Sequence, residues 1–337
     1  MYNIDDVNTY SPEQGARMNK MLFICLLFFV SLLSAVQPAF SFSQKSIAAK
    51  SWIVIDENDE VLSSKYPSAK LPPASTVKLV TAMVALDHLD PAVTVIVSSR
   101  AKAARSGKPR LMTNDALSVS DLLHLALMRS NNSAAVALAE AAGGSEDAFV
   151  ALMNMKVKEI GANDTHFVTA SGLPKGRQYT TALDLTIILK KALTYPLIRE
   201  ILGKKEWIVR TAAGRDLYLS NTDNLLWSRS NMVGGKTGFT CSARHCFVGA
   251  MDTEKGLIFT AVLGAPSRQR LWKSTLTLAD IGMDMQLDSS LPRSNNSFDR
   301  IPRREPLTRT GGLAMAQNMS LSDALFEDRR AYPELPF

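Results

Sequence analysis

Residues 245–264 have the sequence HCFVGAMDTEKGLIFTAVLG, in which two apolar runs flank the polar tetrad D-T-E-K. Apolar runs joined by a short charged turn predict a β-hairpin. Residues 51–66, SWIVIDENDEVLSSKY, alternate about a D-E-N-D turn and predict a second hairpin far earlier in the chain. We therefore expect one antiparallel sheet that is built from both ends of the folded domain.

The sequence between the two hairpins is mainly helical in pattern. Residues 76–87 contain only Lys78 and Asp87 as charges and no Gly or Pro, which predicts a largely buried helix. An antiparallel sheet with an inserted helical region defines an α+β fold. Further helices are expected at 119–128, 133–142, 145–161 and 181–193 and, after the second hairpin, at about 267–285.

Composition limits the classes of protein to consider. The chain has 337 residues and a net charge of +6, with 46% hydrophobic and 21% charged residues, so a folded globular domain is expected. The positive charge suits several partners, but the basic residues are not interleaved with aromatic ones, so we expect no nucleic-acid partner. Three cysteines without a C-x-x-C pair and four isolated histidines predict no metal site and no cofactor.

The two ends of the chain have their own patterns. Residues 21–36, MLFICLLFFVSLLSAV, form an uncharged run after Arg17 and Lys20, which is typical of an export signal. The run is shorter than the roughly 20 apolar residues of a membrane span, and an uncleaved anchor is the alternative. Pro, Ser, Asn and Arg dominate residues 289–310, which predicts a flexible tail.

These patterns divide the chain into three parts and place it outside the cytoplasm. We expect a periplasmic or other extracytoplasmic protein that meets the membrane only through the N-terminal segment, if that segment is not cleaved. The predicted parts are a signal peptide at 1–41, a folded domain at 42–286 and a C-terminal tail at 287–337.

The segment Ser75-Thr76-Val77-Lys78 lies at the start of the predicted buried helix. Its i, i+3 spacing places the serine hydroxyl and the lysine amine on one face, one turn apart. A serine hydroxyl needs a base to act as a nucleophile, and a lysine in an apolar helix has a lowered pKa that lets it accept a proton. Lys78 is therefore the candidate base. The alternative is a serine helix cap beside a lysine that extends to solvent.

Two later segments offer polar groups to a cleft. Ser130-Asn131-Asn132 falls between two apolar helices, where the alternative is a helix break with Asn132 as the N-cap. In the segment 234–238, GGKTG, the glycines admit a substrate backbone, and Lys236 and Thr237 offer a cation and a hydroxyl to a carboxylate. The alternative here is a glycine-rich hairpin with an exposed lysine. A phosphate-binding loop is disfavoured because Ser230 stands where that motif needs glycine.

The order S-x-x-K, S-x-N, K-T-G is the signature of serine β-lactamases and penicillin-binding proteins. From about Lys50 to Met285 the chain resembles the D-alanyl-D-alanine carboxypeptidase and endopeptidase family of low-molecular-mass penicillin-binding proteins. The resemblance implies a β-lactamase/transpeptidase-like fold. It further implies removal of the terminal D-alanine from peptidoglycan stem peptides, with β-lactams as covalent inhibitors. It covers the segments LPPASTVKLVTAMVALD, LLHLALMRSNNSAAVALAE, THFVTASGL, YTTALDL, NTDNLLW and GGKTGFT.

The resemblance also implies a role for each residue of the motifs. Ser75 would attack the substrate carbonyl while Lys78 takes its proton, and Ser130 would pass a proton to the leaving amine with Asn132 holding the network. Substrate binding would fall to Lys236, Thr237 and Gly238, and the oxyanion hole to the backbone N–H groups of Ser75 and Phe239.

Three other functions stay open at this point. The chain resembles the single-domain branch of the family, which includes D-alanyl endopeptidases that cut peptidoglycan cross-links. A class A β-lactamase needs a glutamate after the S-x-N motif, and Glu159 is the only near match, while Asn131 replaces the aspartate of S-D-N. A non-catalytic wall or lipid-surface binder could use the basic tail, but the intact Ser75, Lys78 and Lys236 argue against it.

Cys241 and Cys246 flank the turn that follows K-T-G. An oxidising compartment could join them across a hairpin. The alternative is a buried strand cysteine at 246 and a separate turn cysteine at 241.

Overall fold

The computed structural model describes residues 47–287, so the expected signal peptide and the chain beyond residue 287 lie outside the described part. The strands are β1 (Ser51–Asp56), β2 (Val61–Lys65), β3 (Thr94–Ile96), β4 (Ala116–Ser118), β5 (Glu206–Arg210), β6 (Asp216–Ser220), β7 (Met232–Thr240), β8 (Arg244–Thr253) and β9 (Gly256–Ala265). The helices are α1 (Lys78–His88), α2 (Ser99–Ala103), α3 (Val119–Met128), α4 (Asn132–Gly143), α5 (Glu146–Glu159), α6 (Ala182–Ala192), α7 (Pro196–Gly203), α8 (Leu225–Ser228) and α9 (Arg268–Leu287).

The central sheet has five antiparallel strands in the order β2-β1-β9-β8-β7. Both predicted hairpins belong to it, and β1 from the start of the domain pairs with β9 from its end, for example at Ile53 and Ala261. The predicted α+β fold, with a sheet from both ends of the domain and an inserted helical region, is confirmed. The short pairs β3-β4 and β5-β6 form separate two-stranded sheets.

Both faces of the central sheet are covered, which explains why its strands are continuous runs of apolar residues. Side chains alternate along a strand, so Ile53 and Ile55 enter the core shared with the helical region while Val54 enters a second core under α9. Helix α9 packs against β1, β2, β8 and β9, and α6 packs against the other face. Strand β7 forms one edge of this sheet, where it lies beside residues 74–77, the turn that leads into α1.

The helices that frame the candidate site have well-defined ends. The Ser118 side chain accepts a hydrogen bond from the Asp121 amide and starts α3, and the Asn131 side chain accepts one from the Ala134 amide and starts α4. Gly144 ends α4 in the left-handed conformation, with φ 71°. None of the helices between residues 47 and 287 has the combination of length and hydropathy that a bilayer crossing requires.

Candidate active site

Ser75 lies in a 3-10 turn, Ala74–Val77, that leads directly into α1. Two contacts fix this turn: the Thr76 hydroxyl donates to Pro73 O at 2.7 Å, and Leu71 exchanges backbone hydrogen bonds with Thr180. Ala74 has φ 50°, a left-handed conformation that is costly for a residue with a side chain. The turn therefore holds the Ser75 hydroxyl at a defined point beside the first turn of the buried helix.

Lys78 is the first residue of α1 and is fully buried. Its Nζ lies 2.9 Å from Ser75 Oγ, 2.7 Å from Asn132 Oδ1 and 2.6 Å from the carbonyl oxygen of Ser171. The two carbonyl-type oxygens can only accept hydrogen bonds. A neutral amine, which has two N–H groups and one lone pair, therefore donates to both and turns its lone pair toward the Ser75 hydroxyl.

The S-x-N segment places its three side chains differently. Ser130 has φ 57° and connects α3 to α4, so its left-handed backbone turns the chain sharply at the site. Asn131 is the N-cap of α4, and Asn132 is the first helical residue. The alternative interpretation of the sequence, with Asn132 as the N-cap, is therefore wrong. The Asn132 amide instead bridges the site, because Oδ1 accepts from Lys78 and Nδ2 donates to the Arg105 carbonyl.

The loop 104–110 is attached to the S-x-N segment through backbone and side-chain hydrogen bonds. The Ser106 hydroxyl accepts from the amides of Asn132 at 3.0 Å and Ser133 at 2.8 Å, and Asn131 Nδ2 donates to Pro109 O at 2.8 Å. This loop carries no motif of its own, so no local pattern predicts its role.

The K-T-G segment forms the middle of β7, at the edge of the sheet. A Cβ added at Gly238 would lie 3.0 Å from Ser75 N and 3.1 Å from Ala74 Cβ, so β7 approaches the nucleophile turn closely enough to require glycine there. Thr237 Oγ1 lies 2.7 Å from the hydroxyl of Thr222. Phe239 follows on the same strand, with a half-exposed ring 4.5 Å from the ring of His245. The alternative of a hairpin with an exposed lysine is wrong, because Lys236 is fully buried.

The two buried lysines have different electrostatic surroundings. Burial and, next, the charge of Lys236 lower the pKa of Lys78 well below its usual range. Burial lowers the pKa of Lys236 to about 7, and the carboxylate of Asp223 opposes that shift. Asp223 is itself fully buried, and its burial raises its pKa to about 7. The neighbouring charge thus adds to the effect of burial at Lys78 and opposes it at Lys236, which favours Lys78 as the neutral amine that a general base requires.

Several groups that matter to this geometry went unassigned in the sequence. Ser171 lies in the segment THFVTASGL, and Thr222 and Asp223 lie in NTDNLLW; both segments belong to the family resemblance, but no motif assigns a role to these three residues. The Ser171 loop is held by the Thr81 hydroxyl, which donates to Ala170 O at 2.7 Å. A backbone acceptor such as Ser171 O has no side-chain signature, so spacing alone could not reveal it.

The structure also places Glu159 and the two cysteines of the sequence analysis. Glu159, the near match to a β-lactamase glutamate, ends α5 in an exposed ion pair with Lys156 at 2.8 Å. Cys241 and Cys246 are free thiols, the first exposed in the turn and the second buried in β8 opposite Gly238. The disulfide alternative is therefore wrong in this structure.

The Ser75 hydroxyl lies beside the buried Lys78 amine, in a fold that has a five-stranded sheet and an inserted helical region. This site and fold define a serine hydrolase of the penicillin-binding type. The D-alanyl-D-alanine carboxypeptidase family model of the S11 peptidases matches residues 38–267. The chain belongs to this family.

Relatives and solved structures agree with that assignment. The chain is 34% identical over 265 residues to a D-alanyl-D-alanine carboxypeptidase of Mycobacterium tuberculosis, covering 76% of this chain and 89% of the relative. It is 35% identical over 233 residues to the D-alanyl-D-alanine endopeptidase of Escherichia coli, covering 67% and 74% of the two chains. The structure of a Streptomyces K15 DD-transpeptidase mutant superposes with a TM-score of 0.67 at 26% identity, covering 71% of this chain and 99% of the other.

Proposed function

We propose that the protein removes the terminal D-alanine from peptidoglycan stem peptides through an acyl-enzyme on Ser75. The observation that carries the proposal is the pair of Ser75 Oγ and Lys78 Nζ, 2.9 Å apart with the amine fully buried. A neutral amine in hydrogen-bond contact with a serine hydroxyl is a nucleophile and base pair ready for acyl transfer.

Acylation follows from the contacts of the site. Ser75 Oγ attacks the carbonyl carbon between the two D-alanines, and its proton passes to Lys78, which Asn132 Oδ1 and Ser171 O hold in place. The N–H groups of Ser75 and Phe239 stabilise the oxyanion, a contribution of about 2.7–4 kcal/mol per donor in comparable sites. Gly238 lets β7 lie close enough for both donors to serve one oxygen.

The leaving group departs on the side of the K-T-G strand. Lys236, as a cation, and Thr237 bind the carboxylate of the terminal D-alanine. Ser130 gives its proton to the departing amine as the C–N bond breaks and regains one from Lys78, so D-alanine leaves and Lys78 is again neutral. Water then attacks the ester of Ser75, with Lys78 as the base, and the shortened peptide is released.

The wider setting belongs to the same proposal. The substrate lies outside the cytoplasm, so the protein acts there, with 1–41 as an export signal or anchor and 42–286 as the peptidase domain. β-Lactams, which present a strained amide to the same hydroxyl, acylate Ser75 and inhibit the enzyme.

The proposal is tested by incubating the protein with purified muropeptides and weighing the products by mass spectrometry. We expect loss of one D-alanine from pentapeptides and covalent labelling by fluorescent penicillin. Both should disappear in Ser75→Ala and persist in Ser228→Ala, which removes an exposed hydroxyl on α8. Release of D-alanine by Ser75→Ala at the wild-type rate would refute the assignment.

A further inference from the structure

A cationic groove that includes Arg129 lies next to the S-x-N segment. Its walls are the loop 108–112 and the β5-β6 hairpin, and it encloses about 640 Å³. The cations of this groove are Lys108, Arg110, Arg129 and Arg215, and Tyr218 forms an exposed wall.

Three of these cations have no carboxylate partner within residues 47–287. Arg215 is paired with Asp115, and the groove's own acidic residue, Asp216, is paired with Arg210 at 2.5 Å. The Arg129 guanidinium contacts only carbonyl oxygens, with Nη1 2.8 Å from Ser220 O and Nε 3.2 Å from Lys108 O. Lys108 and Arg110 are exposed and have no ion pair in the described chain. The groove thus presents unneutralised positive charge to a ligand.

The groove is held rigidly to the catalytic segment. Arg129 directly precedes Ser130 and ties the loop at Lys108 to the end of β6 at Ser220. The Asn131 side chain donates to Pro109 O at 2.8 Å, between the two exposed cations. A ligand on Lys108 and Arg110 is therefore positioned relative to the proton donor of the leaving group.

The groove continues from the side where the leaving group departs. A second cavity of about 530 Å³ is lined by Thr222, Asn224, Trp227 and Arg129, so it shares Arg129 with the groove. Thr222 contacts Thr237, which belongs to the strand that receives the substrate carboxylate in the proposed function. A free D-alanine leaving group ends at that strand, so it has no atoms that could occupy the groove.

We infer that this groove binds the anionic peptide strand that continues beyond the leaving residue, as in a cross-linked stem peptide. The inference rests on the proposed function and adds to it a site for carboxylates of the second strand, formed by Lys108 and Arg110 beside Arg129. Ser75 forms an ester with the first strand as the amide between the strands breaks. The second strand leaves as its amine, and water then hydrolyses the ester and releases the first strand.

The test compares two substrates on matched variants. Lys108→Gln with Arg110→Gln removes both exposed cations and leaves Arg129 and the backbone bonds in place. The control is Lys102→Gln with Lys158→Gln, which removes the same charge from exposed positions on α2 and α5. Each variant is assayed for kcat/KM on a cross-linked muropeptide dimer and on a monomeric pentapeptide, and for the rate of penicillin labelling.

We expect the groove variant to lose about 3- to 10-fold in kcat/KM on the dimer, as two exposed charge pairs predict. Pentapeptide hydrolysis and penicillin labelling should be unchanged, and amidation of the second strand's carboxylates, other than the one on the leaving residue, should reproduce the loss in the wild type. An unchanged dimer rate, an equal fall on both substrates, or a wild type that releases D-alanine but leaves the dimer intact overturns the inference alone. A wild type that neither reacts with penicillin nor releases D-alanine instead refutes the proposed function, and the inference with it.

Discussion

Replacing Lys78 by alanine removes the amine that lies 2.9 Å from Ser75 Oγ and leaves the hydroxyl without a base. General-base contributions are about 10²- to 10⁴-fold in rate, so acylation of Lys78→Ala should fall by that factor. On the low-pH side the wild-type rate should rise with pH as Lys78 loses its proton, because only the neutral amine accepts the serine proton. The variant should lack this rise.

The variant should still fold, because the substitution removes only part of the free energy of unfolding. Ser171 O and Asn132 Oδ1 each lose a donor, at about 1–3 kcal/mol apiece, against a free energy of unfolding of about 5–15 kcal/mol for an ordinary domain. Loss of the buried amine's desolvation penalty offsets part of this. Stopped-flow acylation by fluorescent penicillin measures the rate, and circular dichroism checks the fold. A folded Lys78→Ala that is labelled at the wild-type rate would refute the assignment of the base.

Two further predictions concern the K-T-G strand. Lys236 must be cationic to bind a carboxylate, so kcat/KM should fall as pH rises through its pKa of about 7. The variant Asp223→Asn removes the charge that raises this pKa, so the fall in kcat/KM should move to lower pH. A pH profile of kcat/KM on the pentapeptide measures both effects. Gly238→Ala places a Cβ 3.0 Å from Ser75 N and should slow acylation by penicillin about 100-fold. The control Gly107→Ala, whose Cβ meets no atom within 4 Å, should not slow it. Equal acylation rates in the two alanine variants would contradict this account of the strand.

The sequence predicted the main elements of the fold because their patterns are local. The helix expected at 119–128 has those bounds in the structure, where Ser118 caps it and apolar residues fill its buried face. The first hairpin was recognisable from alternation about its turn. Helix α7 was missed, although Pro196 stands at its first position and its apolar residues recur at helical spacing. The two-stranded pairs β3-β4 and β5-β6 depend on contacts between segments, which no local pattern reveals.

The candidate site was only partly predictable, for a related reason. Ser75, Lys78 and Asn132 were found through motif order, and hydrogen bonds now connect them. The acceptor Ser171 O and the hydroxyl of Ser106 are contributed by loops without motifs, and their roles arise from long-range contacts. Asn131 departs from the S-D-N pattern, yet its Oδ1 caps α4 by accepting from the Ala134 amide, and its Nδ2 donates to Pro109 O.

Burial alone does not separate the roles of the two lysines in this cleft. Lys78 and Lys236 are both fully buried, and desolvation lowers the pKa of each. Lys78 also experiences the charge of Lys236, whereas Lys236 experiences the opposing charge of Asp223. A substrate carboxylate adds a second anion beside Lys236 and raises its pKa further, so binding strengthens the cation while the neighbouring base stays neutral. One cleft can therefore hold a proton acceptor and a carboxylate receptor made from the same type of side chain.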